Sequence, residues 1–382
     1  MGCGTSTGEV TPVDRIQIDT TAALALGVDE SVHAHECKVV HEWIDAQPAF
    51  LDLAALEAEL SAAEAWHSGV AGRFRDVVVV GVGDAARASS ALRAALVSPF
   101  QNRALAPRLS VLDDDDPDLV GEYLDACEPS STLVHVVSRS GDTPSTLAQW
   151  LLVRERLVQA LGEAEHKAHI VVSTRDPHGA LAEVARREGY AAFGLGSSDG
   201  AIALLSSAAW LGPLVCGVDV RGLVAGALKT AERIGEDGGE NPLVLWAAAE
   251  RAFDRQPTVA RTLVAGHRLR GLAALTSRVL DGASGFQRAS EAFDGDGYAR
   301  LLMVEQADHV ERLAASHADL EPLAGLAGRT LNELVASDRA AARARLEKGG
   351  VPTISISMPS VTPHVVGQYA LLLELVSRVR FA

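Results

Sequence analysis

The sequence predicts an α/β chain of two subdomains, each a parallel sheet with helices layered on both sides. Three observations predict it. A length of 382 residues exceeds one ordinary domain. Asp76-Val-Val-Val-Val-Gly81 is a short β-branched run closed by glycine, the pattern of a strand buried on both faces. Runs of this kind alternate with helical stretches at the spacing of right-handed βαβ units.

Residues 1–47 read as an irregular, polar N-terminal arm. From Leu51 to His67, Leu53, Leu56, Leu60 and Ala63 recur at helical spacing. The first subdomain spans 48–217. Its strands fall at 76–81, 108–112, 132–137, 168–173 and 190–195, with helices at 85–97, 117–126, 145–162, 178–188 and 201–216. Residues 218–241 form a linker helix region. After Gly238-Gly239 a second, less regular round fills 242–382. It has helices at 242–253, 268–281, 334–348 and 364–378, and strands at 261–266, 299–304 and 352–357.

Composition narrows the partners. The chain is 48% hydrophobic and 22% charged, which excludes wholesale disorder, and at 4% aromatic its core must be Ala, Leu and Val. Lys and Arg number 34 against 50 Asp and Glu, a net charge of -16 that repels nucleic acid and anionic membranes. Cys3, Cys37, Cys127 and Cys216 are scattered, so neither a disulfide framework nor a cysteine zinc site is expected. No apolar run approaches the ~20 residues that span a bilayer. With no secretory signal, the expected location is the cytoplasm. Met1-Gly-Cys-Gly-Thr-Ser6 fits the short myristoylation pattern, but the composition looks bacterial and lipidation is not expected. His33, His35, Cys37 and His41 either grip a transition metal or are chance histidines on a solvated arm, and no metal is assigned.

Ligands of open parallel sheets sit beyond the carboxyl ends of the strands. Three such ends carry chemistry: Gly81-Val-Gly83-Asp84-Ala85-Ala86, Ser138-Arg139-Ser140-Gly141-Asp142-Thr143, and Gly194-Leu-Gly196-Ser197-Ser198-Asp199-Gly200. The second places hydroxyls and a glycine between a strand and a helix N-terminus, where backbone N–H groups favour an anion such as phosphate. Its other reading is an N-cap, with Ser140 or Thr143 closing the helix that starts near Pro144. There is no G-x-G-x-x-G or Walker motif, so no nucleotide cofactor is expected.

At these residues the chain resembles the phosphoglucose isomerase family, in its bacterial branch, within the sugar-isomerase (SIS) fold group. Ala49-Phe-Leu-Asp-Leu53, Asp76–Gly81, Val111-Leu-Asp113 and Asp116-Pro-Asp118 carry the early match. Ser138–Thr143 resembles the family's serine-lysine-serine-glycine-threonine-threonine phosphate loop. Ala148-Gln149, Arg154–Leu157 and Gly217-Val-Asp219 extend the match. So do Leu326–Leu334, Gly349–Pro352, Gly367-Gln368 and Glu374. The resemblance covers the chain from about residue 48 to its end. It implies two SIS-like subdomains and a sugar phosphate held by Ser138, Arg139, Ser140, Gly141 and Thr143, with Gly83 beside them.

The departures fall on the chemistry. The family's first loop reads glycine-glycine-serine where this chain has Gly83-Asp84-Ala85. Its third loop carries an arginine where this chain has Ala201, after Asp199-Gly200. The family's base glutamate falls on Gly282, beside Asp281. Its ring-opening histidine lies in a stretch missing between Phe293 and Tyr298. A tail bearing a lysine would follow Ala382. Aldose–ketose isomerisation needs a base to move a proton between adjacent carbons and positive charge for the enediolate oxygen. Orthodox glucose 6-phosphate isomerisation is therefore not expected. Asp84, Asp142 and Asp199, one per loop, and His364 before the final helix are the candidate acid/base groups. Each aspartate has helix capping as its other reading, and His364 that of a surface histidine. The resulting expectation is a divergent member that processes or binds a sugar phosphate or related polar metabolite. The alternative is a non-catalytic sensor or scaffold. The resemblance also implies a homodimer, expected to rest on apolar helix faces such as the stripe of Leu371, Leu372 and Leu375; the other reading of that stripe packs it on the chain's own sheet.

Overall fold

The computed structural model describes residues 15–26, 29–46, 53–100, 107–196, 200–235, 241–255, 260–281, 287–288, 297–304, 307, 309–317, 319–321 and 323–380. In chain order the elements begin with β1 (Gln17–Asp19), α1 (Thr21–Leu26), α2 (Glu30–Ala46), α3 (Leu53–Val70), β2 (Asp76–Val80) and α4 (Asp84–Leu96). There follow β3 (Arg108–Leu112), α5 (Pro117–Ala126), β4 (Thr132–Ser138), α6 (Pro144–Glu165), β5 (Ile170–Thr174), α7 (Ala180–Glu188), β6 (Ala191–Gly194) and α8 (Ser207–Val215). The second half carries α9 (Val220–Arg233), α10 (Pro242–Asp254), β7 (Ala260–Ala265), α11 (Arg270–Asp281), β8 (Gln287–Arg288) and β9 (Gly297–Val304). It closes with α12 (Leu331–Lys348), β10 (Thr353–Met358) and α13 (Pro363–Arg380).

These strands form two five-stranded sheets, ordered β3-β2-β4-β5-β6 and β1-β10-β9-β7-β8. The first is parallel throughout. Val77 and Val79 of β2 face one hydrophobic cluster with α4 and α8, and Val78 and Val80 face another with α6 and α7. All four valines are buried. That is why the run has no polar alternation: both faces of the strand are covered. Strand order reverses between β2 and β4. A crevice at such a reversal, beyond the carboxyl ends, is where doubly wound sheets take their ligands.

Three expectations change. Residues 15–46 are not an irregular arm. Ile16 and Ile18 are buried, and β1 pairs with β10 through Gln17↔Ser357, Ile18↔Ile356 and Asp19↔Ser355. In α2, Glu36, Val40 and Ile44 form a buried i, i+4, i+8 stripe, and Arg251 and Arg255 ion-pair with Glu36. The segment's polar composition hid this stripe. The second sheet is consequently mixed, because β1 runs antiparallel on its edge while β10, β9, β7 and β8 are parallel. Finally, Leu371, Leu372 and Leu375 are not on a surface. They are buried in α13, inside the chain's own core.

The burial of α13 rests on a close helix crossing with α9. A Cβ on Gly226 would lie 1.9 Å from the carbonyl oxygen of His364, and one on Gly367 would lie 1.8 Å from that of Leu223. Only glycine lets the two backbones approach this closely.

Candidate ligand site at the β2/β4 crevice

The hydroxyl loop sits at this reversal point. β4 ends at Ser138, and α6 starts at Pro144 with Thr143 as its N-cap. The Thr143 side chain makes no capping hydrogen bond, so the first N–H groups of α6 keep their positive character at the loop. The cap reading fails for Thr143. Instead the hydroxyls converge: Ser138 Oγ lies 3.2 Å and Ser140 Oγ 3.5 Å from Thr143 Oγ1. The Gly141 N–H donates to Ser138 Oγ (3.1 Å), and the Asp142 N–H to Ser140 Oγ (3.2 Å). Each hydroxyl has a single proton and can turn it from its neighbour to an anion that enters the loop.

The loop is built rather than loose. The Arg139 carbonyl accepts from the N–H groups of Arg175 (3.1 Å) and Asp176 (3.3 Å), and the Gly141 carbonyl from that of Leu181 (3.0 Å). Gly141 has φ +77°, and a Cβ on Gly179 would stand 2.2 Å from the Ser140 carbonyl oxygen. This pair of glycines lets the start of α7 press against the loop. The first loop joins it through the Val82 N–H, which donates to the buried Thr146 Oγ1 at 3.3 Å.

The nominated acid/base groups are placed as follows. Asp142 Oδ1 accepts the Ala180 N–H (2.7 Å) at the start of α7, the capping reading. Asp84 lies in the first turn of α4 after Gly83, and Arg278 Nε of α11 donates to its Oδ1 at 2.6 Å. Arg87 Nη1 lies 3.6 Å from the same oxygen. Asp199 lies outside the described residues, as does Gly282. Ala201, which the resemblance sets against the family's arginine, is buried. His364 sits half-buried in the first turn of α13, with no hydrogen bond to the hydroxyl loop. Asp281, beside the position of the family's base, is held by Arg300 (Nη2 to Oδ1, 3.0 Å) and cannot serve as a free base.

In the N-terminal histidine cluster His33 Nδ1 lies 3.7 Å from Cys37 Sγ, but among the described residues no third ligand joins them. His41 Nδ1 lies 2.8 Å from the Cys37 carbonyl oxygen and acts as its donor. Burial, helped by the Glu36 charge, pushes the Cys37 thiol pKa up, away from the metal-binding thiolate. Among the described residues, Glu163, His166 and Glu188 are the one group with ligand atoms within 4.8 Å of one another. Arg154 Nη2 already stands 3.2 Å from Glu163 and 3.3 Å from Glu188, where a metal ion would sit.

Four residues that support the crevice escaped the sequence reading of the site. Thr146 and Gly179 brace the two loops, Arg278 pairs with Asp84, and Glu374 Oε2 accepts the Ile202 N–H (3.0 Å), tying the third loop to α13. Thr146, three residues after Thr143 in a hydroxyl-rich turn, carried a local signal. Arg278 carried none, being 194 residues from its partner.

No family model matches the sequence. The chain is 30% identical over 349 residues to the glucose-6-phosphate isomerase of Rubrobacter xylanophilus, covering 85% of this chain and 80% of that protein. It is 27% identical over 353 residues to that of Carboxydothermus hydrogenoformans, covering 83% and 76%. Its fold matches a crystal structure of a hypothetical protein from Thermus thermophilus with a TM-score of 0.80 at 22% identity, covering 96% of this chain and 93% of that one. A glucose-6-phosphate isomerase from Chlamydia trachomatis follows with 0.68 at 17% identity, covering 90% and 73%. With sequence similarity of this extent laid over two SIS-like αβα sheets and a hydroxyl loop at the β2/β4 reversal, the chain belongs to the glucose-6-phosphate isomerase family.

Proposed function

We propose that this protein binds a sugar phosphate or related polar metabolite at the Ser138–Thr143 loop and has been repurposed from orthodox glucose 6-phosphate isomerisation. The observation that carries the reading is the uncapped start of α6 beneath three converging hydroxyls. Repurposing rests on the residues that stand where the family's reacting groups stand. Ala201 brings no charge, Gly282 brings no base while its neighbour Asp281 is tied to Arg300, and Ala85 replaces a serine, with Asp84 in place of the glycine before it. With Asp142 and Asp84 both engaged by the protein's own groups, the non-catalytic sensor is the second reading. The family relationship favours a cytoplasmic homodimer working on such ligands.

Two measurements test this. Titration calorimetry with glucose 6-phosphate and fructose 6-phosphate should detect binding. Ser140→Ala and Thr143→Ala should each weaken it by ~1–2 kcal/mol, the loss of one hydrogen bond to a charged group. Unchanged affinity in both variants would reduce the loop to a structural turn. A coupled assay of glucose 6-phosphate conversion should give negligible turnover. Rates in the ordinary enzyme range of roughly 1–1,000 per second would overturn the repurposing.

A further inference from the structure

At the mouth of the crevice stands a small closed charge cluster. Asp84 opens α4 immediately after the β2 loop. Its carboxylate receives Arg278 Nε at 2.6 Å and has Arg87 Nη1 at 3.6 Å. All three side chains remain open to solvent, Asp84 by 30%, Arg278 by 40% and Arg87 by 43%. Two guanidinium charges against one carboxylate leave one net positive charge. In the neighbouring loops each arginine has an aspartate close by in sequence, Asp142 after Arg139 and Asp176 after Arg175, so the loops bring no net charge by count. On the other flank, Asp113, Asp114 and Asp115 follow β3, and Ser145 of α6 donates to Asp115 (2.6 Å). The surroundings of the hydroxyl loop are therefore poor in positive charge for a phosphate monoester, which is mostly a dianion above pH ~6.

Arg278 is held at this point by the fold. α4 and α11 run antiparallel along a tight seam. Arg268 Nε donates to the Ala95 carbonyl (3.1 Å) at one end, Gly271 lies against Ala91 in the middle, and Arg278 meets Asp84 at the other end. The second half of the chain thus delivers a cation to the ligand crevice of the first.

We propose that Asp84 is the charge selector of this site: by cancelling one of the two arginines, it tunes the crevice to a sugar bearing a single negative charge. This rests on the reading that the hydroxyl loop binds an anionic sugar, and it narrows the ligand class within that reading. Removing the carboxylate charge while keeping its shape turns the cluster from one net positive charge to two, which suits a dianion.

The test compares glucose 6-sulfate, a monoanion at every pH used, with glucose 6-phosphate at pH 8, by calorimetry on the full chain. The wild-type protein should bind the sulfate at least as tightly as the phosphate. Asp84→Asn should shift the phosphate-to-sulfate affinity ratio towards phosphate by about tenfold or more, since one nearby charge matters twice as much to a dianion. Arg278→Gln should move the ratio the other way. A purely structural clamp between α4 and α11 would change melting temperature in these variants but not the ratio. If Asp84→Asn does not fold, Asp84→Ser carries the same expectation. A wild-type preference for phosphate of tenfold or more, or a ratio unmoved by Asp84→Asn, would overturn the selector. If Ser140→Ala still weakens both ligands in that case, the hydroxyl-loop reading stands alone. If neither sugar binds, both fall.

Discussion

Glu250 holds a charge with none of its surface in water, and what surrounds it explains why Asp281 cannot be a base. Burial alone would push the Glu250 carboxyl up. The Arg300 charge and its hydrogen bonds, with Arg380 and the Tyr298 hydroxyl, outweigh that and hold the pKa down at about 2. Arg300 Nε donates to Glu250 Oε1 (2.6 Å), its Nη2 to Oε2 (2.7 Å), and the same guanidinium takes Asp281. Arg380 adds bonds to the Leu280 carbonyl (2.8 Å) and Asp254 (2.6 Å). A carboxylate held below its unfolded value of 4.5 contributes stability that is fully present above pH 4.5. That contribution drains away as pH falls towards 2. Glu250→Gln should therefore cost ~3–5 kcal/mol at neutral pH, because it leaves Arg300 buried with less compensating charge. The gap between variant and wild type in urea unfolding should narrow between pH 4.5 and pH 2. A gap that is constant with pH would show that Glu250 contributes shape rather than charge.

The crossing of α9 and α13 gives the prediction proper to elements. Gly367→Ala would drive a Cβ to 1.8 Å from the Leu223 carbonyl oxygen, a backbone atom that cannot swing aside. The helices must separate, at a cost of ~1–3 kcal/mol or more. Thermal unfolding should show a drop of several degrees, whereas Gly194→Ala, with nothing within 4 Å of its Cβ, should change little. An unmoved melting temperature for Gly367→Ala would contradict the crossing. This contact also marks the limit of what the sequence made legible. Strands β2, β4 and β5 could be read from their β-branched runs, and helices such as α4 and α7 from a 3.6-residue stripe. The hydroxyl loop was legible for the same reason: its residues are contiguous. β1 was not, since three residues become a strand only when β10 arrives from more than 300 positions away. The pairing of Asp84 with Arg278 could not be read in the sequence because Arg278 lies on a helix of the other half. Long-range ion pairs leave no periodicity to find.

At the scale of the whole molecule, the proposed homodimer needs a face other than α13, whose leucines are spent inside one chain. α12 has 18 residues and none of them is buried. Beside it, Val310, Leu320, Leu323, Leu331 and Val335 are exposed large apolar side chains confined to residues 310–335. Helices in proteins draw most of their stability from packing an apolar face, and isolated ones below ~12–15 residues are marginal. α12 has a capping box between Thr330 and Glu333 and an ion pair from Arg343 to Asp19 (2.8 Å), which anchor it but cover none of this apolar surface. A second copy meeting this face would cover it in both chains at once, as a twofold contact must. Light scattering at low micromolar concentration should give about twice the 40.1 kDa chain mass. Val335→Lys should return the mass to that of one chain without lowering the affinity measured at the hydroxyl loop of the separated subunit. A wild-type monomer would mean that the capping box and the Arg343 pair hold α12 in place without a partner. The 310–335 face would then have to be explained by something other than self-association.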